Sequence, residues 1–161
     1  MTKTENNGMS ETQLQQQAID CANALWKNDV VAKSLGMVIT AVAPGAATIK
    51  MSISDNMLNG HGMGHGGYIF TLADTAFAYA CNSYNQNTVA QHCSISFIAP
   101  VYVQDELTAS AIVVSQSGRS GIYDIKVSNQ HGITVGEFRG HSRTVKGTLL
   151  PIEANSAPAQ E

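Results

Sequence analysis

One apolar segment, from Tyr68 to Tyr84, constrains the fold more than any other part of the sequence. It mixes large side chains with small ones that recur through it: Leu72, Ala73, Ala76, Phe77, Ala78 and Ala80. This composition predicts a helix that is buried on nearly every side, with small residues that let a sheet approach closely. Asp74 is the one charged residue in its middle.

The remaining sequence is dominated by β-like runs. Two precede the apolar helix, from Gly36 to Ala43 and from Ala46 to Ile53, and a Pro44-Gly45 turn signal separates them. The four that follow the helix are Val89 to Ile98, Leu107 to Gln116, Gly121 to Asn129 and Ile133 to Val145. Short turns between consecutive strands predict an antiparallel sheet. The fold class is therefore α+β, with a curved sheet of five to six strands wrapped around one long central helix.

The length of 161 residues suits a single domain. Thr12 to Lys27 has apolar residues near the helical period, and Asp29 is placed to cap a short helix ending at Ser34. We predict a disordered N-terminus over 1–11, one domain over 12–150 and a flexible tail over 151–161. The first 17 residues have no apolar core, so they are not predicted to be a signal peptide.

Charge and cysteine content exclude several classes of protein. The formal net charge is −3, so nothing indicates binding to nucleic acid or to an anionic membrane. No apolar run is long enough to span a bilayer. The three cysteines are odd in number and show no metal-binding spacing, which favours reduced thiols in a cytoplasmic protein.

Asp74 is the first candidate for chemistry. A carboxylate within an apolar helix costs free energy unless something uses its charge. One interpretation is structural, with Asp74 on an exposed stripe or paired with a distant cation. The other is functional, with the carboxylate acting as a general base or a nucleophile. Packing on every side of the helix would favour the second.

The loop from Asn59 to Gly67 is the second candidate, since glycine occupies five of its nine positions. Glycines let backbone amides approach a ligand, and this loop leads directly into the N-terminus of the apolar helix. Free N–H groups and the positive end of the helix dipole converge there, so the segment could stabilise an oxyanion through the amide of Gly66 or Gly67. A plain tight turn is the structural alternative.

Metal binding and other nucleophiles are not favoured. His61 and His65 are four residues apart, but the glycines between them argue against a helix, and His92 and Cys93 are further ligands only by type. His65 is expected to orient the loop or contact substrate. The sequence has neither a G-x-S-x-G elbow nor a phosphate-binding loop, and its cysteines lie in no catalytic context. We therefore predict no metal and no cofactor.

The spacing of the two candidates predicts an oligomer. Gly66 and Asp74 are eight residues apart, which is about 12 Å along one helix. A carbonyl group held by the Gly66 amide would be too far from Asp74 of the same chain. The economical solution is a symmetric dimer, in which the loop of one subunit faces Asp74 of the other and two equal sites form.

These residues resemble those of a known family. Met57 to Gly62, His65 to Gly67 and Phe70 to Ala78 are similar to the motifs of hotdog-fold acyl-CoA thioesterases of the PaaI family, which act on hydroxyphenylacetyl-CoA in phenylacetate catabolism. The resemblance extends over roughly Leu25 to Leu149. The combined spacing of N-G-H, H-G-G and L-A-D-x-A-F-A is specific for the family, and less so for the substrate.

The resemblance implies a hotdog fold, a homotetramer built as a dimer of dimers, and hydrolysis of aryl-acyl thioesters without a cofactor. It implies that Asp74 is the catalytic carboxylate and that Gly66 supplies the oxyanion amide. Asn59 would place the water or carbonyl, and His65 would support the loop. Ala90 stands where some relatives have a serine that holds the water, so whether Asp74 acts as base or nucleophile stays open.

Substrate contacts are predicted in two regions. Gly67, Tyr68 and Phe77 could border the acyl group, although core packing is an equal alternative for the aromatic residues. Arg119 and Ser120, in the turn between two strands, could contact the phosphates of CoA. So could basic residues of the last strand: Arg139, His141, Arg143 and Lys146.

Two other functions compete with thioester hydrolysis. An enoyl-CoA hydratase of the same fold would pair a histidine with a carboxylate, as His65 and Asp74 could. It would leave the thioester intact, so release of free thiol separates the two enzymes. A non-catalytic acyl-CoA binding module would bind without turnover.

Overall fold

The computed structural model describes residues 8–151. Three α-helices are present, α1 (Glu11–Asn28), α2 (Val30–Ser34) and α3 (Gly66–Cys81). The six strands are β1 (Val38–Ala43), β2 (Ala46–Ser52), β3 (Thr88–Phe97), β4 (Glu106–Ser117), β5 (Ser120–Ser128) and β6 (Thr134–Thr144). The predictions for residues 1–7 and 152–161 lie outside the described residues.

All six strands form one antiparallel sheet in the order β1-β2-β4-β5-β6-β3. Together with the central helix α3, this confirms the predicted α+β class. One feature departs from a simple succession of hairpins: β3 does not pair with β4, which follows it in sequence. It pairs instead with β6, with Ile95 opposite Phe138, and so becomes an edge of the sheet.

The core lies between α3 and the concave face of the sheet. The helix contributes Leu72, Ala73, Ala76 and Phe77, all 1% exposed or less. Burying such side chains stabilises the fold by about 1.5–3 kcal/mol for each large one. The approach is close: a Cβ added at Gly140 of β6 would lie 2.9 Å from the ring of Phe77. A side chain at position 140 would therefore push the helix off the sheet.

Only one side of α3 is packed within the chain, so the prediction of a helix buried all round is wrong for a single chain. Thr71, Asp74, Thr75 and Ala78 recur at helical spacing and are half-buried. Thr71 and Thr75 donate their hydroxyls to backbone carbonyls one turn earlier, at 2.8 and 2.7 Å. These four residues form a half-open stripe, Thr71-Asp74-Thr75-Ala78, along one side of α3.

The N-terminal helices cover the opposite edge of the sheet from β3. Ser10 caps α1 through the amide of Gln13, so α1 begins one residue before the predicted Thr12. Gln15 donates to the carbonyl of Val42 in β1 at 2.7 Å. Asp29 caps α2, as predicted, and also accepts from the buried Tyr79 hydroxyl at 3.1 Å. None of the helices among residues 8–151 is long and apolar enough to cross a membrane.

Candidate active site

The glycine-rich loop is held in shape by Asn59. Its side-chain oxygen accepts from the amides of His61 and Met63 at 2.9 and 3.2 Å, and its backbone N–H donates to the Met63 carbonyl at 2.7 Å. Gly62 has a φ of +73°, a conformation that favours glycine. The loop is therefore an ordered turn. These hydrogen bonds use the side-chain oxygen and the backbone N–H of Asn59, and none of them uses its side-chain NH2 group.

Two backbone hydrogen bonds fasten the end of the loop to the body of the domain. The His65 N–H donates to the Met57 carbonyl and the Gly64 N–H to the Val101 carbonyl, both at 2.8 Å. A Cβ at Gly64 would overlap the side chain of Val101, so glycine favours this close approach. The helix predicted from Tyr68 to Tyr84 begins two residues earlier, at Gly66, and ends at Cys81.

The first turn of α3 contains the free amide. His65 is the N-cap, and its ring Nδ1 accepts from the Gly67 N–H at 2.9 Å. An accepting Nδ1 places the proton of the neutral ring on Nε2. The Gly66 N–H has no hydrogen-bond partner among residues 8–151. Of the two amides considered from the sequence, Gly66 is therefore the one available to a ligand.

A cavity of about 590 Å³ opens at this amide. Polar groups from Asn59, His65 and Gly66 lie at one side of it, and the remaining lining is mostly apolar: Met63, Gly64, Ile69, Phe97, Ile98, Ala99, Pro100 and Val101. An apolar cavity with a few convergent polar groups is the usual form of a small-molecule site. It could hold an apolar acyl group with its carbonyl directed at Gly66.

Asp74 lies two turns further along α3, beside β3. Its Oδ1 accepts from the Cys93 thiol at 3.8 Å. Burial raises the pKa of the Asp74 carboxyl above its ordinary value, and the Cys93 hydrogen bond offsets part of this. Burial, together with the charge of Asp74, raises the pKa of Cys93 to about 11. Cys93 is therefore a neutral donor at physiological pH and not a thiolate nucleophile.

Gly66 and Asp74 belong to the same helix and do not meet within one chain. The eight residues between them correspond to about 12 Å along the axis. Asp74 is not among the residues lining the cavity at Gly66. One chain thus carries two separated halves of the predicted site, the Gly66 cavity and the Asp74-Cys93 pair.

Tyr68 and Phe77, the two aromatic residues predicted to contact substrate, lie in different environments. Tyr68 is half-buried on the first turn of α3, with its ring edge-on to His65 at 6.4 Å between centroids. Phe77 is 1% exposed and packs against Tyr123 and Phe138. Its assignment to the acyl pocket is therefore corrected, because the ring is enclosed by the core.

Arg119 and Ser120 are exposed at the turn between β4 and β5, and are remote from the cavity of their own chain. Along β6, the partner of Ser120 is Arg143, whereas the partner of Phe97 is Gly136. Seven residues of strand separate these two positions, or about 23 Å. Arg139 forms a bidentate pair with Asp124 at 2.6 and 2.7 Å, so its charge is already used.

Sequence reasoning missed Cys93 and Phe97 as site residues. Cys93, Ile95 and Phe97 alternate along β3, and this period of two could have placed them on the face that meets α3. The signal was hidden because most of this edge strand is exposed in one chain. Within residues 8–151, no three His, Cys, Asp or Glu side chains are grouped to hold a metal ion.

Comparison with known proteins identifies the family. The sequence pattern of the family described as "Thioesterase superfamily" matches residues 61–135. The acyl-coenzyme A thioesterase PaaI of Escherichia coli (strain K12) is 47% identical over 128 residues, which is 80% of this chain and 91% of that protein. The chain belongs to the thioesterase superfamily. The predicted relation to the PaaI family and the prediction of a thioester hydrolase are confirmed.

Solved thioesterase structures agree with this assignment. The Escherichia coli PaaI structure superimposes with a TM-score of 0.83 at 46% identity, covering 84% of this chain and 98% of that one. The predicted hotdog fold is thereby confirmed. A hypothetical thioesterase from Streptococcus pneumoniae, solved with coenzyme A, is 25% identical with a TM-score of 0.66, covering 70% of this thioesterase and 90% of that chain.

Proposed function

We propose that this thioesterase hydrolyses acyl-CoA to the free acid and CoA, with phenylacetyl-CoA or hydroxyphenylacetyl-CoA as substrate. The observation that carries the proposal is the free N–H of Gly66, the first residue of α3, which lines a mostly apolar cavity. PaaI of Escherichia coli is named for acyl-CoA hydrolysis, and the Streptococcus pneumoniae relative was solved with coenzyme A. Both support the substrate class.

The reaction needs a group that binds the thioester oxygen and a group that accepts a proton from water. The Gly66 amide and the N-terminal dipole of α3 hold the thioester oxygen as it becomes an oxyanion. The NH2 group of Asn59, whose oxygen is committed to the loop, orients the carbonyl or the water. Asp74 removes a proton from the attacking water, and returns it to the CoA sulfur when the C–S bond breaks.

Asp74 has a second possible role as nucleophile. Its carboxylate oxygen would attack the carbonyl carbon and expel CoA thiolate, giving a mixed anhydride that water then opens. Both routes give one acid and one thiol for each water consumed. A single turnover in ¹⁸O-labelled water separates them, because only the anhydride route can leave label in the Asp74 side chain.

The site is completed by a second copy of the chain. β3 is a ten-residue edge strand, and nothing among residues 8–151 pairs with its outer side, which is a ready surface for strand pairing. Phe97 lies against Gly66 and Cys93 against Asp74, so β3 and α3 run past each other in opposite directions. A two-fold axis near Ile95 would bring Gly66 of one subunit to Asp74 of the other, producing two equal sites.

The same two-fold axis would bring Arg119 of the partner subunit, which is remote from the cavity of its own chain, towards this cavity. Antiparallel pairing of two β3 strands brings the Thr88 end of one beside the Phe97 end of the other. Arg119 and Ser120 belong to the Thr88 end, so those of the partner subunit would flank the cavity. CoA phosphates would meet Arg119 there. Assembly of two such dimers and a cytoplasmic location remain predictions.

An acyl-CoA panel with detection of free thiol tests the proposed activity. We expect thiol release, with the highest kcat/KM for phenylacetyl-CoA or hydroxyphenylacetyl-CoA over acetyl-CoA and straight-chain acyl-CoAs. Consumption of enoyl-CoA without thiol release would indicate a hydratase. Tight binding of the panel without turnover would indicate a binding module, and either result would contradict the proposal.

The pH dependence of kcat/KM follows from the environment of Asp74. Burial favours the neutral carboxylic acid, so the pKa of Asp74 lies above its ordinary value. Only the carboxylate can accept a proton or attack, so kcat/KM should fall as the pH is lowered through this raised pKa. A pH–rate profile measured with phenylacetyl-CoA checks this, and an acid limb at or below the ordinary pKa of an aspartate would contradict it.

A further inference from the structure

Phe97 is the unusual residue of the cavity. It ends β3 with 54% of its surface exposed, although a large aromatic side chain would normally be covered. The tip of its ring is directed at Gly66: a Cβ built there would lie 2.8 Å from ring carbon Cζ and 3.1 Å from Cε1. A side chain at position 66 would therefore force this ring to move away from the residue that carries the free amide.

The position of the ring fixes what it must contact. If the Gly66 N–H holds the thioester oxygen, the carbonyl carbon lies within about 4 Å of that nitrogen. The first atoms of the acyl group then pass beside the tip of Phe97. Ile98, Pro100 and Val101 continue the same wall beyond it. The cavity is therefore apolar beside the Gly66 amide, and Phe97 contributes the one phenyl ring of its lining.

We propose that Phe97 is a specificity-determining residue, whose ring contacts the acyl group next to the Gly66 amide and favours an aromatic acyl group over a straight-chain one. Aromatic rings gain from stacked or edge-to-face contact beyond the area that they bury. A flexible chain loses rotational freedom against the same wall. The inference rests on the proposed acyl-CoA activity and adds the residue that selects the substrate.

Two substitutions distinguish the effect of the aromatic ring of Phe97 from the effect of its side-chain volume. Phe97→Leu keeps most of the apolar volume and removes the ring, whereas Phe97→Ala removes both. We expect Phe97→Leu to lower the ratio of kcat/KM for phenylacetyl-CoA to that for hexanoyl-CoA by about three- to tenfold. Phe97→Ala should lower it at least as far, because the space left also accommodates longer chains.

Tyr102 supplies the matched control. It is also aromatic, is equally exposed at 54%, lies five residues further along and does not line the cavity. Tyr102→Ala should leave the ratio unchanged. Should Phe97→Ala fail to fold, as shown by its thermal unfolding, Phe97→Leu still decides the matter.

The possible outcomes separate this inference from the proposed function. If the wild-type protein releases no thiol from any acyl-CoA, the proposed function fails. If it does, and both Phe97 variants lose activity by one common factor on all substrates, the specificity role is overturned while the activity stands. An altered ratio in the Phe97 variants, with Tyr102→Ala unchanged, supports the inference.

Discussion

Replacing Asp74 with asparagine is expected to lower kcat for phenylacetyl-CoA by at least about a hundredfold, the usual loss when a positioned base is removed. The amide has nearly the shape of the carboxylate, so it can still accept from the Cys93 thiol, but it can neither take a proton from water nor attack a carbonyl. KM should change little, because asparagine keeps the size of the side chain and leaves the lining of the Gly66 cavity as it is. Steady-state kinetics with free-thiol detection measures both constants.

The same substitution should stabilise the fold at neutral pH. Burial raises the pKa of Asp74, so the native state binds its proton more tightly than the unfolded chain does. Stability is therefore lost as the pH rises from the ordinary aspartate pKa through the raised one. Asparagine avoids it, so Tm should rise by a few degrees at pH 7, and the difference should shrink in acid.

Asp124 is the control for the Asp74 variant. It lies on β5 with its carboxylate paired to Arg139, and the pair is largely exposed on the outer surface of the sheet. Asp124→Asn removes one charge, as Asp74→Asn does, but in a place where no substrate contact is proposed. We expect its kcat to stay within about twofold of wild type. A comparable loss in both variants would mean that Asp74 acts only through net charge or folding.

Replacing Gly66 with proline is expected to reduce kcat by about a hundred- to a thousandfold, as for the removal of one oxyanion donor. Proline has no N–H, so this change removes the free amide itself. The backbone should tolerate it, because Gly66 is the first residue of α3, a position that proline favours. His65 before it has φ −67° and ψ 131°, which is the extended conformation that a residue preceding proline adopts.

Gly66→Ala is the matched control for the proline variant. Both substitutions add a Cβ where the ring of Phe97 stands 2.8 Å away, so both force that ring to move. Only proline removes the N–H. The alanine variant should lose activity through displaced packing, and the proline variant should lose about a further hundredfold in kcat. Equal losses would show that the Gly66 amide holds no oxyanion.

Much of the fold could be predicted because its signals are local. The alternation of Tyr123, Ile125 and Val127 with polar residues predicts a strand over Gly121 to Asn129, and the structure has these three side chains fully buried within β5. The apolar helix and the turn at Gly45 were evident for the same reason. The pairing of β3 with β6 could not be predicted, because it joins residues about 45 apart in sequence and depends on how the whole sheet closes.

The candidate site also has features that the sequence predicts and features that it does not. The sequence predicts Gly66 and Asp74 as site residues, because the first belongs to a glycine-rich segment and the second is the single charge of an apolar helix. The capping of Gly67 by His65 was not predictable, because it depends on one ring rotamer. The sequence left two positions open for Phe77, the core and the acyl pocket, since an aromatic residue on an apolar helix has the same sequence pattern in both, and the structure places it in the core.

A mixed oligomer made from Asp74→Asn and Gly66→Pro chains tests the shared site most directly. Each variant alone should be nearly inactive. After equal amounts are unfolded together and refolded, half of the dimers should be mixed, each with one intact pair of Gly66 and Asp74 from different chains. About a quarter of wild-type activity should therefore return. If the mixture, with mixed dimers verified by mass spectrometry, stays as inactive as its parents, the two halves do not act across a subunit boundary.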